Sequence, residues 1–264
     1  MSGHSETHLI LIPSYNSGRL LLETVKDALE HWRPVWVVID GSTDGSELPV
    51  LELARVERGL RVLVLPRNGG KGAAVFAGAL AALGAGFSHA LVMDADGQHP
   101  AGRIGAFMAA SRAQPEAMVL GRPVFGSEAP QVRLQGRKLS VALVRMETLG
   151  RAIDDPLFGF RVYPLGALAR LMARISGARR YDFDPEVAVR LFWNGVPAIN
   201  LSAACRYRAL AEGGVSHFHY VRDNLRMAWL HTRLIAALIL WRWPAVWRAR
   251  REQWRRFSRM DVRG

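Results

Sequence analysis

The chain has one cysteine, Cys205, which excludes an intrachain disulfide and any multi-cysteine zinc or iron–sulfur site. It has three lysines, Lys26, Lys71 and Lys138, against 32 arginines. No basic stretch leading into an apolar one opens it, so no secretory leader is expected, and a reducing compartment is. No Ser/Pro-rich linker, internal repeat or low-complexity tract breaks it up. The longest uncharged apolar run of its C-terminal part, Leu234–Trp241, has eight residues, whereas a helix needs roughly 20 to span a bilayer.

The 264 residues are 50% hydrophobic and 22% charged, which excludes a disordered tail or a fibre and suits one large domain, alone or with an appendage. The formal charge is +12, and residues 222–264 carry +8 of it through 11 arginines against three acids. Such a charge suits nucleic acid or an anionic membrane surface. No helix-turn-helix, zinc-finger or RNP pattern accompanies it, so no nucleic-acid partner is expected. Residues 217–260 read as helix and hold five of the eight tryptophans, Trp229, Trp241, Trp243, Trp247 and Trp254, with Pro244 kinking the helix or starting a second one. Tryptophan interleaved with arginine suits an amphipathic helix lying on anionic lipid. An ordinary packed C-terminal helix with a solvated basic face is the alternative.

Residues 8–122 alternate short β-rich runs (8–13, 35–40, 61–66, 89–94 and 117–121) with helix-like stretches (18–32, 46–58, 70–85 and 101–113). That alternation predicts a mostly parallel α/β sheet with helices on both faces, and such sheets bind ligands beyond the carboxyl ends of their strands. The polar residues fall at those ends: Ser14-Tyr15-Asn16, Asp40-Gly41-Ser42, Asn68-Gly69-Gly70-Lys71 and Asp94-Ala95-Asp96. Residues 123–215 are less regular, with helices predicted near 133–149 and 184–194 and a strand at 196–203; they read as a continuation of the same domain.

Asp94-Ala95-Asp96 follows the apolar run Ala90–Met93. In extended geometry residues two apart point the same way, so both carboxylates face one spot and need a cation there. Hard oxygens suit Mg²⁺ or Mn²⁺, with substrate phosphates completing the shell and Gln98 adding a carbonyl oxygen or holding a metal water. A polar turn that merely ends a strand is the other explanation. Lys71 sits in a glycine-rich turn at a helix mouth, but G-x-x-x-x-G-K-[ST] is not satisfied, so Lys71 is read as structural or supporting. No G-x-G-x-x-G follows the first strand, which disfavours a dinucleotide enzyme.

Pro13-Ser14-Tyr15-Asn16, Val38–Gly45, Asn68–Gly72, Asp94–Pro100 and Asp155-Pro156-Leu157-Phe158-Gly159-Phe160-Arg161 together resemble a GT-A-type, family-two glycosyltransferase. The resemblance is to the dolichol-phosphate-mannose synthase and polyprenyl-phosphate sugar transferase branch and covers most of residues 8–218. It implies a Rossmann-like GT-A domain over 1–216, with a donor half (8–122), an acceptor half (123–216) and a basic helical tail (217–264). It implies a metal-dependent, inverting transfer from a UDP- or GDP-sugar to a lipid-phosphate or other membrane-proximal acceptor, peripherally on the cytoplasmic face of a membrane. Pro13, Tyr15, Asn16, Val38 and Asp40 would meet base and ribose. Asp94, Ala95 and Asp96 would meet ribose, diphosphate and metal, with Gln98 in support. Arg122 is a candidate clamp for the leaving diphosphate.

On the acceptor side, Arg133 and Arg137 lie one helical turn apart. The branch holds its acceptor phosphate with arginine in this region and with a later Arg…Gly-x-Ser-Lys stretch, which here reads Arg208 and then Ser216-His217. A hydroxyl acceptor would need a catalytic base, and Asp155, Asp184 and Glu186 are the candidates, although acids opening a helix are also favoured by its dipole. A soluble or polyketide-like hydroxyl acceptor is the second reading. An inactive transferase-fold adaptor for membrane or nucleic acid is the third.

Overall fold

A computed structural model describes residues 3–125, 131–205 and 220–260. Its first half runs β1 (Gly3–His4), β2 (His8–Ser14), α1 (Leu20–His31), β3 (Trp32–Arg33), β4 (Val35–Asp40), α2 (Leu48–Val56), β5 (Leu60–Leu65), α3 (Lys71–Gly84), β6 (His89–Val92), α4 (Ile104–Ala113) and β7 (Met118–Phe125). Its second half adds α5 (Gln131–Glu147), β8 (Arg161–Pro164), α6 (Leu165–Met172), α7 (Phe183–Trp193), β9 (Ala198–Cys205), α8 (Tyr220–Ala237) and α9 (Trp243–Met260).

Seven strands form one sheet in the order β5-β4-β2-β6-β8-β7-β9. Only β8 runs against the others, pairing antiparallel with β6 and β7. The parallel strands are apolar runs because both of their faces are covered. Along β2, Leu9 and Leu11 enter one core with Trp36 and Val38, while Ile10 and Ile12 enter the opposite core with Val35 and Val37. The small residues of α3 let it lie close to the sheet: a Cβ on Gly78 would stand 2.5 Å from the Leu11 side chain.

The expected mostly parallel sheet is present, and its predicted strands lie within a few residues of their expected bounds. The four-residue β8 and the helix α6 after it were not anticipated. β7 continues to Phe125, so Arg122 lies inside the strand rather than at its end. In the tail, α8 and α9 are joined by a π-helical turn, Leu238–Arg242. Pro244 is the second residue of α9, where its missing N–H breaks no helical bond. One side of this helical run buries Leu230, Leu234, Leu238, Val246 and Ala249 in the α3-side core. Among the described residues no helix is long and apolar enough to cross a membrane.

Candidate active site

The loops after β2 and β4 are stapled together. Asn16, at φ 47°, accepts the Thr43 N–H on its side-chain oxygen at 2.8 Å, and its own N–H donates to Ser42 Oγ at 3.1 Å. Gly18 N–H donates to Asp44 at 3.0 Å. Asp40, at the end of β4, is buried and accepts the N–H groups of Gly69 and Gly70 at 2.9 and 2.7 Å. On its other side the Gly-rich turn meets the chain leading into α7. Gly72 N–H donates to the Arg179 carbonyl at 2.9 Å, and a Cβ on Gly72 would fall 1.8 Å from the Ala178 carbonyl oxygen. Only glycine permits that approach, and it fixes the start of α3.

Lys71, the first residue of α3, thereby reaches the carboxylates. Its Nζ lies 2.6 Å from Asp94 Oδ1 and 2.7 Å from Asp184 Oδ2, joining the loop after β6 to the first turn of α7. The sequence reading of Lys71 as merely structural is corrected: it is the cation at the centre of the cluster. Burial alone would lower its pKa, but Asp184 and Asp94 outweigh that and raise it, so it remains an ammonium. Burial pushes the Asp94 carboxyl up, yet Lys71 and His99 together hold it below the ordinary value. Asp96 moves the other way, raised first by burial and then by the Asp94 charge.

His99 supports Asp94. Its Nδ1 accepts the Asp94 N–H at 2.9 Å, its Nε2 stands 3.7 Å from Asp94 Oδ2, and burial lowers its pKa, which favours the neutral ring. Phe158 and Phe160 meet this ring edge to face. Gly159 lies between them, and a Cβ there would stand 2.5 Å from Lys71 Nζ and 2.8 Å from Asp94 Oδ2. Arg161, fully buried at the start of β8, donates to the carbonyls of Phe158, Asp155 and Asp184, tying this loop to α7. Sequence reasoning missed His99 and Gly159 as separate contributors, although both lie inside quoted motifs. Beside Asp96, a cleft of about 530 Å³ opens between Thr24 of α1, the Gly97–Arg103 segment and Ala204 of β9.

Asp94, Asp96 and Asp184 are thus gathered, but several predicted residues go elsewhere. The Val38 side chain is fully buried in the core beneath α3, so it offers the nucleotide no side-chain surface. Ala95 is also buried, and its carbonyl accepts from Thr24 Oγ1 at 3.4 Å. Both Asp40 oxygens already serve the Gly69–Gly70 turn. Arg122 donates to Ser202 at 2.7 Å and lies 3.7 Å from Asp154, away from the Lys71 cluster. Glu186 does not fit the role of a base: its side chain is fully buried and paired with Arg190 at 2.8 Å and Arg233 at 3.3 Å. Arg137 pairs with Asp155, which also accepts the N–H groups of Leu157 and Phe158. The Arg133 side chain, and Arg208, Ser216 and His217 altogether, lie outside the described residues. Cys205 is buried, and burial pushes its thiol up to about 11, so it is not a thiolate nucleophile.

Residues 9–170 match Glycosyl transferase family 2. The chain belongs to this family. Polyprenol monophosphomannose synthase of Mycolicibacterium smegmatis is 30% identical over 216 residues, covering 79% of this chain and 80% of that protein. A dolichyl-phosphate beta-glucosyltransferase of Trichomonas vaginalis is 28% identical over 201 residues, covering 68% of this chain and 59% of that protein. The resemblance to the dolichol-phosphate sugar transferase branch holds at this level. Among solved structures, the mannosyltransferase PcManGT from Pyrobaculum calidifontis, in complex with GDP-Man and Mn²⁺, superposes with TM-score 0.58 at 19% identity over 92% of this chain and 73% of that one. Glucosyl-3-phosphoglycerate synthase from Mycobacterium tuberculosis, with Mn²⁺ and UDP-glucose, superposes with TM-score 0.56 at 19% identity over 89% of this chain and 78% of that one. These two similarities establish the GT-A fold. As a family-two glycosyltransferase, the chain carries its Asp94–Lys71–Asp184 cluster within or just beyond the family-matched segment, where the carboxyl ends of the parallel strands open.

Proposed function

We propose that this family-two glycosyltransferase moves a sugar from a UDP- or GDP-sugar to a lipid-linked phosphate, with inversion at the anomeric carbon. The observation that carries the reading is the Asp94–Asp96 pair at the carboxyl end of β6, with one carboxylate neutralised by Lys71 and the other raised by its neighbour's charge. Among the described residues no three His, Cys, Asp or Glu side chains form a ready metal cluster. The residues nevertheless fit a divalent cation held jointly with a diphosphate. Their donors are hard oxygens, and the raised Asp96 marks a spot short of positive charge. Asp94, Asp96 and Gln98 would hold Mg²⁺ or Mn²⁺, which when bound neutralises the departing diphosphate.

The protein's own part is orientation. Tyr15 and Asn16, on the stapled loops, would receive base and ribose with Pro13. Asp40 acts by holding the turn that carries Lys71, and Lys71 keeps Asp94 ionised and directed. The acceptor assignment follows from the carboxylates and from the names of the relatives. Asp184 is bound to Lys71, Asp155 to Arg137 and two backbone N–H groups, and Glu186 to two guanidinium groups. Each of the three candidate bases is therefore occupied, and a phosphate acceptor, already anionic at neutral pH, needs no base to attack. Arg137 is the described cation nearest to that task, with Arg133, Arg208, Ser216 and His217 as its proposed partners.

The transferase unit is taken as residues 1–216, with donor half 8–122 and acceptor half 123–216, and the helical run after it as a peripheral contact with the cytoplasmic face of an anionic membrane. Trp229, Trp243, Trp247 and Trp254 are 63%, 59%, 47% and 70% exposed, and arginines stand between them. Rings of that kind settle at headgroup depth while arginine meets lipid phosphate.

One assay tests the whole reading. UDP- and GDP-sugars are supplied with and without Mn²⁺ to the full chain, together with polyprenyl phosphate in anionic or neutral vesicles. The expected result is Mn²⁺-dependent transfer from one donor class, and sedimentation with anionic vesicles that high salt partly reverses. Transfer only to a soluble hydroxyl compound would overturn the acceptor. Failure to hydrolyse or transfer from any nucleotide sugar would overturn the enzyme assignment.

A further inference from the structure

Between the tail helix and the carboxylate cluster lies a set of buried charges that the transfer itself does not use. Glu186, in the first turn of α7, is fully buried, with one oxygen on Arg190 of its own helix and the other on Arg233 of α8. Gly177 is packed flat against this contact: a Cβ there would stand 2.6 Å from Glu186 Oε2 and 3.2 Å from an Arg233 nitrogen. Two residues before Glu186 comes Asp184, which holds Lys71 through its side chain and Arg161 through its carbonyl. The segment entering α7 rests on the turn that starts α3, with Gly72 donating to the Arg179 carbonyl and Arg180 donating to Asn68 at 3.0 Å. A shift of the first turn of α7 therefore moves Asp184 against Lys71.

A second polar bridge secures the same tail helix. His231 of α8 meets Glu147, at the end of α5, at 2.7 Å, and both side chains are buried. Leu230 and Leu234 flank these polar residues on the same side of α8 and are fully buried. The helix is thus set on the domain by charge pairs of defined geometry as well as by apolar contact. Apolar contact alone tolerates sliding. A buried carboxylate that loses one of its two counter-ions must take up water or a proton.

We infer that Arg233 is a positioning residue for the catalytic centre: by neutralising Glu186 it seats the first turn of α7 so that Asp184 holds Lys71 against Asp94. This rests on Asp94, Lys71 and Asp184 being that centre. The tail is then a brace for the reaction as well as a basic surface.

The test uses the full chain with Arg233→Met, Arg233→Lys and the double variant Glu186→Gln/Arg233→Met. Hydrogen exchange of peptides covering 68–75 and 176–190 is followed by mass spectrometry, and donor hydrolysis is measured in parallel. For Arg233→Met, exchange in both peptides should accelerate, and kcat should fall about tenfold with donor KM within about threefold, the pattern of misplaced rather than missing groups. Peptides in β4 and α2 should be unchanged. Arg233→Lys keeps the charge and should stay near wild type. The double variant leaves no orphaned carboxylate, so exchange and kcat should recover even though Arg233 is still missing. Wild-type exchange and rate in Arg233→Met, or no recovery in the double variant, overturns the inference. If the wild-type chain hydrolyses no nucleotide sugar, the proposed function fails, and the exchange measurement still decides whether Arg233 seats α7.

Discussion

At the N-terminal ends of β2 and β6, His8 and His89 stack with ring centroids 4.4 Å apart, and every ring nitrogen has a neutral partner. His8 meets Thr7 and Ser111, and His89 meets Ser88 and the Pro115 carbonyl, while Trp32 donates to the His8 carbonyl. At the C-terminal ends of the same two strands the buried polar groups are carboxylates that crowd one lysine. There Asp184 Oδ1 is buried without a partner among the described residues, and the charge of Asp94 raises Asp96. Neutral and satisfied groups hold a fold together at little risk. Charged and under-compensated groups cost stability unless a ligand supplies what is missing. The contrast separates the end of the sheet that supports the fold from the end that waits for substrate.

The contrast can be broken from either end. The largest effect is expected at the charged end. Asp96→Asn should lower transfer by about 10³-fold, the scale of losing a group that stabilises developing charge. It should abolish Mn²⁺-dependent nucleotide binding in a calorimetric titration while leaving the melting temperature nearly unchanged. A large loss of stability without loss of nucleotide binding would mean that this end, too, is structural.

The neutral end should answer to pH. Burial, then the neighbouring His89 and Arg112, lowers His8 to about 4. The folded protein therefore binds this proton less readily than the unfolded chain does. The stability concerned is fully present above the ordinary histidine value near 6.5 and is lost as pH falls through about 4. The loss should approach about 3 kcal/mol. His8→Gln should melt lower than wild type at pH 7.5 yet lose less on acidification, with nucleotide binding at pH 7.5 unchanged. Melting curves from pH 7.5 to 4 check it, and parallel curves for the two proteins would refute it.

A smaller effect is expected from Gly159→Ala, which adds one methyl group against Lys71 Nζ and Asp94. Both are side-chain ends that can yield, so the fold should survive. Donor hydrolysis should fall about 30-fold, within what a displacement of about 1 Å costs. Wild-type hydrolysis would show that the Lys71–Asp94 contact is not used as placed here.

Much of this contrast was legible in the sequence. The apolar runs and polar loop ends located the parallel strands, and the spacing of Asp94 and Asp96 located the charged end. What escaped had physical causes. β8 opens on Arg161, and an arginine reads as surface until its carbonyl partners are seen. Asp40 reads as a base-recognising acid, because a carboxylate after a strand says nothing of the glycine N–H groups folded onto it. Val38 alternates correctly for a strand, but which face lies under α3 depends on the tertiary packing. Lys71 was set aside because the phosphate-loop pattern failed, although its partners are carboxylates. Asp184 and Glu186, two residues apart on a helix, looked equivalent, yet they point toward different neighbours.

The π-helical turn Leu238–Arg242 has a consequence for how this protein tolerates changes of length. Such a turn accommodates one residue more than the α-helical count. Deleting a single residue there would leave an unbroken helix but rotate everything after it by about 100° relative to α8. Val246 and Ala249 would swing out of the core, and exposed tryptophans would be driven toward it. Substitutions in this turn should therefore be accepted far more readily than insertions or deletions. Related sequences should vary here in composition while keeping a constant residue count between Leu234 and Val246.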